Sequence, residues 1–228
     1  MAKLTDARTH GALLPPVKEP WIVFDLIGVL AEPSWREISS APDLDKWKSF
    51  RVGMCSELEF WSEDCARAYR ALLGFRPDRL AYLAQLKERG LRICLATNFS
   101  SAWWDTLKLK LPQPGLVDKL LISDQLKVAK PDHRFFAAMK KIVPAGSVMV
   151  DDSAPNCIAA ETAGYRSIWT YPGIALEAVV DSIIGIPDSP PQRRVPGRTP
   201  LSGPRPGSYA RIKRAQDSIP EEHRGSQR

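Results

Sequence analysis

Short apolar runs alternate with helical segments along most of this chain, and this alternation constrains the fold more than any other feature. The apolar runs, which are typical of buried strands, lie at 21–24, 91–96, 119–122, 147–150 and 166–170. The segments with helical spacing lie at about 80–89, 102–109, 133–142 and 155–163. Strands that follow one another through short helical crossovers pair in parallel, with helices on both faces of the sheet. The sequence therefore predicts an α/β fold with a Rossmann-like parallel sheet.

Polar residues stand at the carboxyl ends of three predicted strands. Asp25 follows the first run, Thr97 and Asn98 follow the second, and Asp151 and Asp152 follow the run at 147–150. Ligands of parallel sheets bind beyond these ends, and a buried carboxylate is costly unless it meets a cation or does chemistry. We therefore expect a functional site there. Two structural alternatives stay open, because Asp25 also suits a turn cap and Thr97-Asn98 also suits a helix N-cap.

Lys130 lies just before the helical segment at 133–142. A positive charge near a helix N-terminus opposes the helix dipole, so a nearby anion is the better explanation for this lysine. The carboxylates of Asp25, Asp151 and Asp152 are hard oxygen ligands, which suit Mg²⁺. The sequence thus predicts a magnesium site with a lysine beside it.

Taken in this order, the strand-end aspartate, the Thr-Asn pair, the lysine and the Asp-Asp pair resemble the motifs of the haloacid dehalogenase (HAD)-like hydrolases. The resemblance covers about residues 20–185. It implies that Asp25 attacks phosphorus and forms an aspartyl-phosphate. It also implies that Thr97, Asn98 and Lys130 hold the transferring oxygens. These four residues are the predicted catalytic set.

The same resemblance implies how the cofactor Mg²⁺ is held. Asp25, the backbone carbonyl of Ile27 and Asp152 are the expected ligands. Asp151 is expected either to orient Lys130 or to bind the ion through water. The predicted metal set is therefore Asp25, Ile27, Asp151 and Asp152.

Two positions depart from the family pattern. Family phosphatases carry a second aspartate two residues after the nucleophile, which protonates the leaving group and activates water; here that residue is Ile27. Loss of a positioned acid/base typically lowers a rate by ~10²–10⁴. We therefore expect slow turnover of ordinary alkyl phosphates. The other departure is Lys127, where relatives commonly have glycine shortly before the lysine motif.

Residues from about 32 to 76 have helical rather than strand signals. Ser56 and Glu59 have the spacing of a capping box, and apolar residues recur behind them at near-helical spacing. This segment resembles the helical cap of the HAD subfamily that includes the phosphatase domain of soluble epoxide hydrolase and bacterial sugar-phosphate phosphatases. The residues that carry the resemblance are Trp47, Phe50, Gly53, Ser56, Phe60 and Trp61. Such caps close over the site and exclude water.

The net charge of +6 is concentrated at the C-terminus. Residues 187–228 contain nine arginines and lysines against four acids, a net of +5, so the remainder is nearly neutral and does not favour nucleic acid. This Pro/Arg-rich tail is predicted to be disordered, and its charge suits an acidic partner. The predicted organisation is a flexible leader at 1–19, a HAD-like core with its cap at 20–186, and the tail.

Composition and apolar patterning limit the cellular compartments in which this protein is expected. The apolar run that begins at Trp21 is interrupted by Asp25 and is too short to cross a bilayer. Residues 1–19 lack the apolar stretch of a secretory signal. The four cysteines have no C-x-x-C spacing and are expected to be reduced. We therefore expect a cytoplasmic protein with no membrane partner.

The predicted function is hydrolysis of a phosphorylated small molecule through an aspartyl-phosphate on Asp25. A C–halogen hydrolase is the alternative enzyme, since halide leaves without protonation and that branch also lacks the second aspartate. The Asp151-Asp152 pair argues against it, because those dehalogenases are independent of metal. A third hypothesis is a non-catalytic descendant that binds a ligand or partner.

Overall fold

The predicted strands form one parallel sheet in the computed structural model, which describes residues 21–38, 43–171 and 174–184. In spatial order the strands are β5 (Lys119–Ile122), β4 (Arg92–Thr97), β1 (Trp21–Phe24), β6 (Val148–Asp151) and β7 (Arg166–Trp169). Every neighbouring pair is parallel. All four residues of the central strand β1 are buried, as a strand covered on both faces requires. The Rossmann-like α/β prediction is confirmed.

Helices cover the sheet on both faces. Within the described residues they are α1 (Leu44–Phe50), α2 (Glu57–Phe60), α3 (Glu63–Leu72), α4 (Pro77–Glu88), α5 (Ser101–Leu107), α6 (Ser123–Leu126), α7 (His133–Met139), α8 (Ala154–Thr162) and α9 (Leu176–Ile184). Alternate residues of each strand enter different cores, because successive strand side chains point to opposite faces. Phe24 packs with α4, α5 and α9 on one face, and Val23 packs with α7 and α8 on the other.

Along the chain, an insertion lies between β1 and the next strand of the sheet, β4. It begins and ends in a two-stranded antiparallel ribbon of β2 (Ala31–Glu32) and β3 (Gly74–Phe75). Between these strands lie a 3₁₀ turn (Trp35–Glu37) and helices α1 to α3. We call residues 31–75 the insertion. That it closes over a site as a cap stays a prediction.

An aromatic cluster joins the insertion to the sheet layer. Trp103 of α5 is fully buried and stacks on Trp47 of the insertion, with 6.1 Å between ring centroids. Its indole N–H donates to the Glu57 carboxylate at 2.5 Å. Phe50 and Tyr69 pack on the same indole at 4.8 Å and 4.5 Å. The insertion thus shares its apolar centre with the core.

Several local predictions can be compared with the structure. Ser56 and Glu59 form the predicted capping box. Strands β4 and β6 extend one residue beyond the predicted ends, so that Thr97 and Asp151 belong to strands. The ribbon and helices α6 and α9 were not predicted. The predicted leader at 1–19 and the tail at 187–228 lie outside the described residues.

Candidate active site

Three aspartates meet at the carboxyl edge of the sheet. Asp25 follows β1, and its N–H donates to the Val150 carbonyl of β6 at 2.8 Å. Asp151 is the last residue of β6, and Asp152 follows it. Because β1 and β6 are neighbours, one carboxylate oxygen from each aspartate lies within 4.8 Å of the other two. We call these three residues the acid cluster.

Lys130 supplies positive charge at the base of the acid cluster. Its Nζ lies 3.0 Å from Oδ1 of Asp25 and 2.6 Å from Oδ2 of Asp151, and it also donates to the Ala96 carbonyl. These three acceptors use all three ammonium donors. The side chain is fully buried. A contact between Lys130 and a phosphoryl oxygen therefore requires one of the present acceptors to give way.

Burial acts on the pKa of both partners in this ion pair. Burial raises the pKa of Asp25 to about 7, because Asp151 and Asp152 oppose the Lys130 charge that would lower it. Burial acts to lower the pKa of Lys130, but the Asp151 and Asp25 carboxylates outweigh it and raise that pKa above its ordinary value. Lys130 therefore remains charged at neutral pH, and Asp25 lacks a full counter-charge.

Asn98 positions Lys130 through two hydrogen bonds. Its Nδ2 donates to the Lys130 carbonyl at 2.9 Å, and its Oδ1 accepts from the Lys130 N–H at 2.8 Å. Thr97 is buried and does not line the cavity described below. Neither residue caps α5, because Ser100 does so by accepting from the Ala102 N–H at 3.2 Å. Contacts of Thr97 and Asn98 with phosphoryl oxygens stay predictions.

The two adjacent aspartates have different surroundings. Oδ2 of Asp151 accepts from Lys130, and its Oδ1 accepts from the Ser153 N–H and from Nδ2 of Asn156, each at 2.9 Å. Asp152 is exposed on the cavity wall, and its carboxylate accepts no hydrogen bond from another described residue. Burial and then the Asp151 charge raise the pKa of Asp152. Asp152 is therefore the member of the pair whose oxygens are available to a cation.

A cavity of about 640 Å³ adjoins the acid cluster. The sheet edge contributes Asp25, Ile27, Asn98, Lys130 and Asp152 to its wall. The insertion contributes two tryptophans, two arginines and two glutamates, which are Trp35, Trp47, Arg36, Arg51, Glu32 and Glu37. The cavity therefore has carboxylates at the sheet edge, and aromatic rings with both guanidinium and carboxylate groups on the insertion side.

Ile27 and Gly28 form the loop that separates Asp25 from the insertion. Ile27 lines the cavity at the position of the second aspartate in the family resemblance, and its side chain carries no proton to donate. Gly28 has φ of +88°, in the left-handed region that glycine adopts readily. The loop thus passes close to Asp152 at a residue without a side chain.

Sequence reasoning missed Arg36, Arg51 and Asn156. The two arginines lie in the insertion, where irregular structure gives no periodic pattern that would direct them toward a cavity. Asn156 follows Asp151 by five residues and donates to it from the first turn of α8. Its position shortly after the Asp-Asp pair is the sequence feature that could have predicted this contact with Asp151.

Known proteins resemble this chain in sequence and in fold. A family model described as a hydrolase, haloacid dehalogenase-like hydrolase, matches residues 57–164. This match covers just under half of the chain and supports the resemblance to the HAD-like hydrolases. Solved structures share the fold of this chain at low identity. One is a HAD family enzyme from Bacteroides thetaiotaomicron in complex with magnesium and inorganic phosphate, at 20% identity and a TM-score of 0.56, covering 71% of this chain and 98% of that chain.

Two further proteins are similar to this chain. A phosphoserine phosphatase from Thermus thermophilus is 32% identical in an alignment over 108 residues that covers 44% of this chain and 42% of the relative. The chain thus matches less than half the length of that curated relative. The L-2-haloacid dehalogenase from Xanthobacter autotrophicus, solved with chloropropionic acid covalently bound, has a TM-score of 0.53 at 17% identity, covering 75% of this chain and 85% of that chain.

Lys127 has a backbone conformation that suits the glycine expected at its position from the family resemblance. It ends α6 with φ of 56°, a left-handed conformation that costs a side chain about 1 kcal/mol or more. Its Nζ donates to the Gly53 carbonyl of the insertion at 3.2 Å. The lysine therefore links the core to the insertion through this hydrogen bond.

The remaining sequence expectations concern thiols and membranes. Cys94 and Cys157 are buried, Cys55 and Cys65 are partly buried, and all four are free thiols. Among the described residues, no helix combines the length and apolar character needed to span a bilayer.

Proposed function

We propose that this protein is a HAD-like hydrolase that cleaves phosphate monoesters of small molecules, with Asp25 as nucleophile and Mg²⁺ as cofactor. The observation that carries the proposal is the acid cluster, whose three carboxylates converge within 4.8 Å and two of which, Asp25 and Asp151, pair with Lys130. Carboxylates this close repel one another, so the cluster requires positive charge beyond one ammonium group. The similarity to a phosphoserine phosphatase and the magnesium–phosphate complex of the Bacteroides enzyme support the same chemistry.

The residues of the cluster fit Mg²⁺. Carboxylate and carbonyl oxygens are its preferred protein ligands, and the acid cluster brings three carboxylates together with a single buried ammonium group. Asp25, Asp152 and the backbone carbonyl of Ile27 would hold the ion. Asp151 would orient Lys130, since both of its oxygens already accept hydrogen bonds. When bound, Mg²⁺ would neutralise charge on the phosphoryl oxygens and so favour attack by an anion.

The chain's own residues define the reaction steps. Oδ1 of Asp25 accepts from Lys130, so Oδ2 would attack phosphorus as the bond to the leaving oxygen breaks. Ile27 cannot donate a proton, so the leaving oxygen would take one from solvent. Water would then attack the aspartyl-phosphate, releasing phosphate and restoring the Asp25 carboxylate. Lys130, held by Asn98, would keep Asp25 oriented throughout.

A C–halogen hydrolase is the second candidate, and Ile27 is the observation that favours it. Halide leaves without a proton, so that reaction does not need an acid at this position. The exposed Asp152 argues against it, because a second carboxylate beside the nucleophile repels an anionic haloacid unless a cation lies between them.

Product release distinguishes these candidates. The wild type and Asp25→Asn should be incubated with p-nitrophenyl phosphate and with 2-chloropropionate, and phosphate and chloride measured separately. We expect Mg²⁺-dependent phosphate release that Asp25→Asn reduces to background. The control is Asp64→Asn, an exposed aspartate of α3 paired with Arg67, which should behave as the wild type. Chloride release would favour the dehalogenase, and no release of either would favour a binding protein.

A further inference from the structure

Two arginines of the insertion line the same cavity as the acid cluster. Arg36 lies in the 3₁₀ turn, and Arg51 directly follows α1. Within the described part of the chain, neither guanidinium has an acidic partner, and the buried Nε of Arg51 has no hydrogen-bond acceptor. A buried donor without an acceptor is costly, so this arrangement calls for a ligand that accepts hydrogen bonds.

The two guanidinium groups also interact unfavourably with each other. Burial and then the positive charge of Arg36 lower the pKa of Arg51. An anion between two such groups removes this repulsion, and a planar guanidinium matches a carboxylate or phosphate with paired donors. The pair therefore has the charge and the donors of an anion site.

Neighbouring groups hold Arg36 without neutralising it. Its guanidinium lies over the Trp35 ring, 5.2 Å from the centroid, and Trp35 stacks on Trp47 at 4.6 Å. The nearby acid, Glu37, accepts from the Ser34 N–H at 2.9 Å in a capping box. Aromatic support orients the arginine while leaving its charge available to a ligand.

Arg36 also lines the same cavity as Asp25 and Asp152 of the acid cluster. A short molecule whose phosphoryl group is at Asp25 can therefore extend toward the arginine pair across one cavity.

We propose that Arg36 and Arg51 bind a second anionic group on the substrate, a carboxylate or a second phosphate. The preferred substrates are then phosphate esters of small anionic molecules, rather than of neutral alcohols or sugars. This inference rests on the proposed function, because it takes Asp25 as the site of the phosphoryl group.

Phosphonates test the proposal without requiring turnover. The full chain with Mg²⁺ should be titrated calorimetrically with propylphosphonate, 3-phosphonopropionate and propane-1,3-bisphosphonate. We expect at least one of the two-anion compounds to bind about 10-fold or more tightly than propylphosphonate, as expected for a charge-assisted hydrogen bond. The compound that shows the preference identifies the second group as carboxylate or phosphate.

Matched variants assign the preference to the arginines. Arg36→Met and Arg51→Met should each reduce it severalfold or more, because methionine keeps an unbranched side chain without charge. The control is Lys48→Met in α1, which removes an exposed charge that pairs with Asp45 and does not line the cavity. It should retain the wild-type preference.

Three outcomes would overturn the second-anion site. They are equal affinity for all three compounds, binding of none of them, and an arginine variant that weakens all three equally, which would place the arginines on the phosphoryl group itself. Hydrolysis of glycerol 3-phosphate and 3-phosphoglycerate separates this inference from the proposed function. A retained phosphonate preference without phosphate release would reject the phosphatase and leave the anion site supported.

Discussion

A Cβ atom placed on Gly28 would lie 2.2 Å from Oδ2 of Asp152. This contact is far shorter than real Cβ contacts, so a side chain at residue 28 would force the exposed Asp152 carboxylate to turn away from the loop after the nucleophile. The close approach keeps the backbone carbonyl of Ile27 and the carboxylate of Asp152 on the same side of the cavity, where both are proposed to hold Mg²⁺. The glycine is therefore part of the proposed metal site.

Gly28→Ala should lower both stability and magnesium binding. Gly90→Ala is a matched control, because Gly90 has φ of +79° but an added Cβ would meet nothing within 4 Å. Both variants bear the cost of a left-handed alanine, about 1 kcal/mol. Only Gly28→Ala should lose more than that in denaturant unfolding and show a smaller rise of Tm with Mg²⁺. Equal losses in the two variants would contradict the close approach.

Magnesium should stabilise the protein more at pH 8 than at pH 5.5. Burial raises the pKa of Asp25 from 3.8 to about 7, so without metal the fold loses stability as the pH rises through this interval and Asp25 ionises. Mg²⁺ favours the ionised form, so its effect on Tm should grow as the pH rises toward 7 and beyond. Asp152→Asn should reduce the effect and Asp64→Asn should not. A shift of Tm that is independent of pH would contradict this coupling.

Ile27→Asp should accelerate hydrolysis of alkyl phosphates. A carboxyl group at this position can protonate the leaving oxygen and activate water, which typically contributes ~10²–10⁴ in rate. The control is Ile27→Asn, which has a similar shape and no titratable group. The measurement is kcat with glycerol 3-phosphate and with p-nitrophenyl phosphate, whose leaving group needs less assistance. The increase in kcat should be larger for glycerol 3-phosphate than for p-nitrophenyl phosphate. Identical kinetics in Ile27→Asp and Ile27→Asn would contradict the hypothesis that turnover is slow because the acid/base is absent.

Lys130→Met should destabilise the fold strongly at neutral pH. The change leaves Asp25 and Asp151 buried without their shared cation, and removal of one partner from a buried pair costs ~3–5 kcal/mol. The loss should be smaller at pH 5, where Asp25 is protonated. Urea unfolding at the two pH values measures both effects, with Lys48→Met as the exposed control. A loss below about 0.5 kcal/mol, the range of ordinary surface substitutions, would contradict a stabilising role for this buried ion pair.

The acid cluster could be predicted from the sequence because strand ends have a definite place in a parallel sheet. Asp25 and Asp151 each end an apolar run, and neighbouring parallel strands bring such ends to one edge. The sequence could not predict that all three ammonium donors of Lys130 already have acceptors. One of these acceptors is the Ala96 carbonyl, whose position depends on the placement of β4 in the fold. The ribbon was missed because strands of two residues have no measurable periodicity.

The arginine pair could not be predicted from the sequence, for a different reason. Arg36 and Arg51 reach the cavity through the packing of a 3₁₀ turn and a short helix, whose orientation depends on aromatic contacts across the insertion. A sequence pattern gives the face of a regular helix or strand but not the direction of a side chain in an irregular segment. Substrate selectivity is therefore the property that most required the structure.

Trp103 limits how the insertion can be transferred to another protein. The indole at the centre of the insertion's aromatic cluster is supplied by α5, which lies beyond β4 in the chain. Residues 31–75 are thus an incomplete folding module, and they would leave an unfilled aromatic pocket if grafted onto another scaffold. A functional exchange of this insertion would have to carry Trp103 with it, so the two segments are expected to change together when the specificity of such a protein is redesigned.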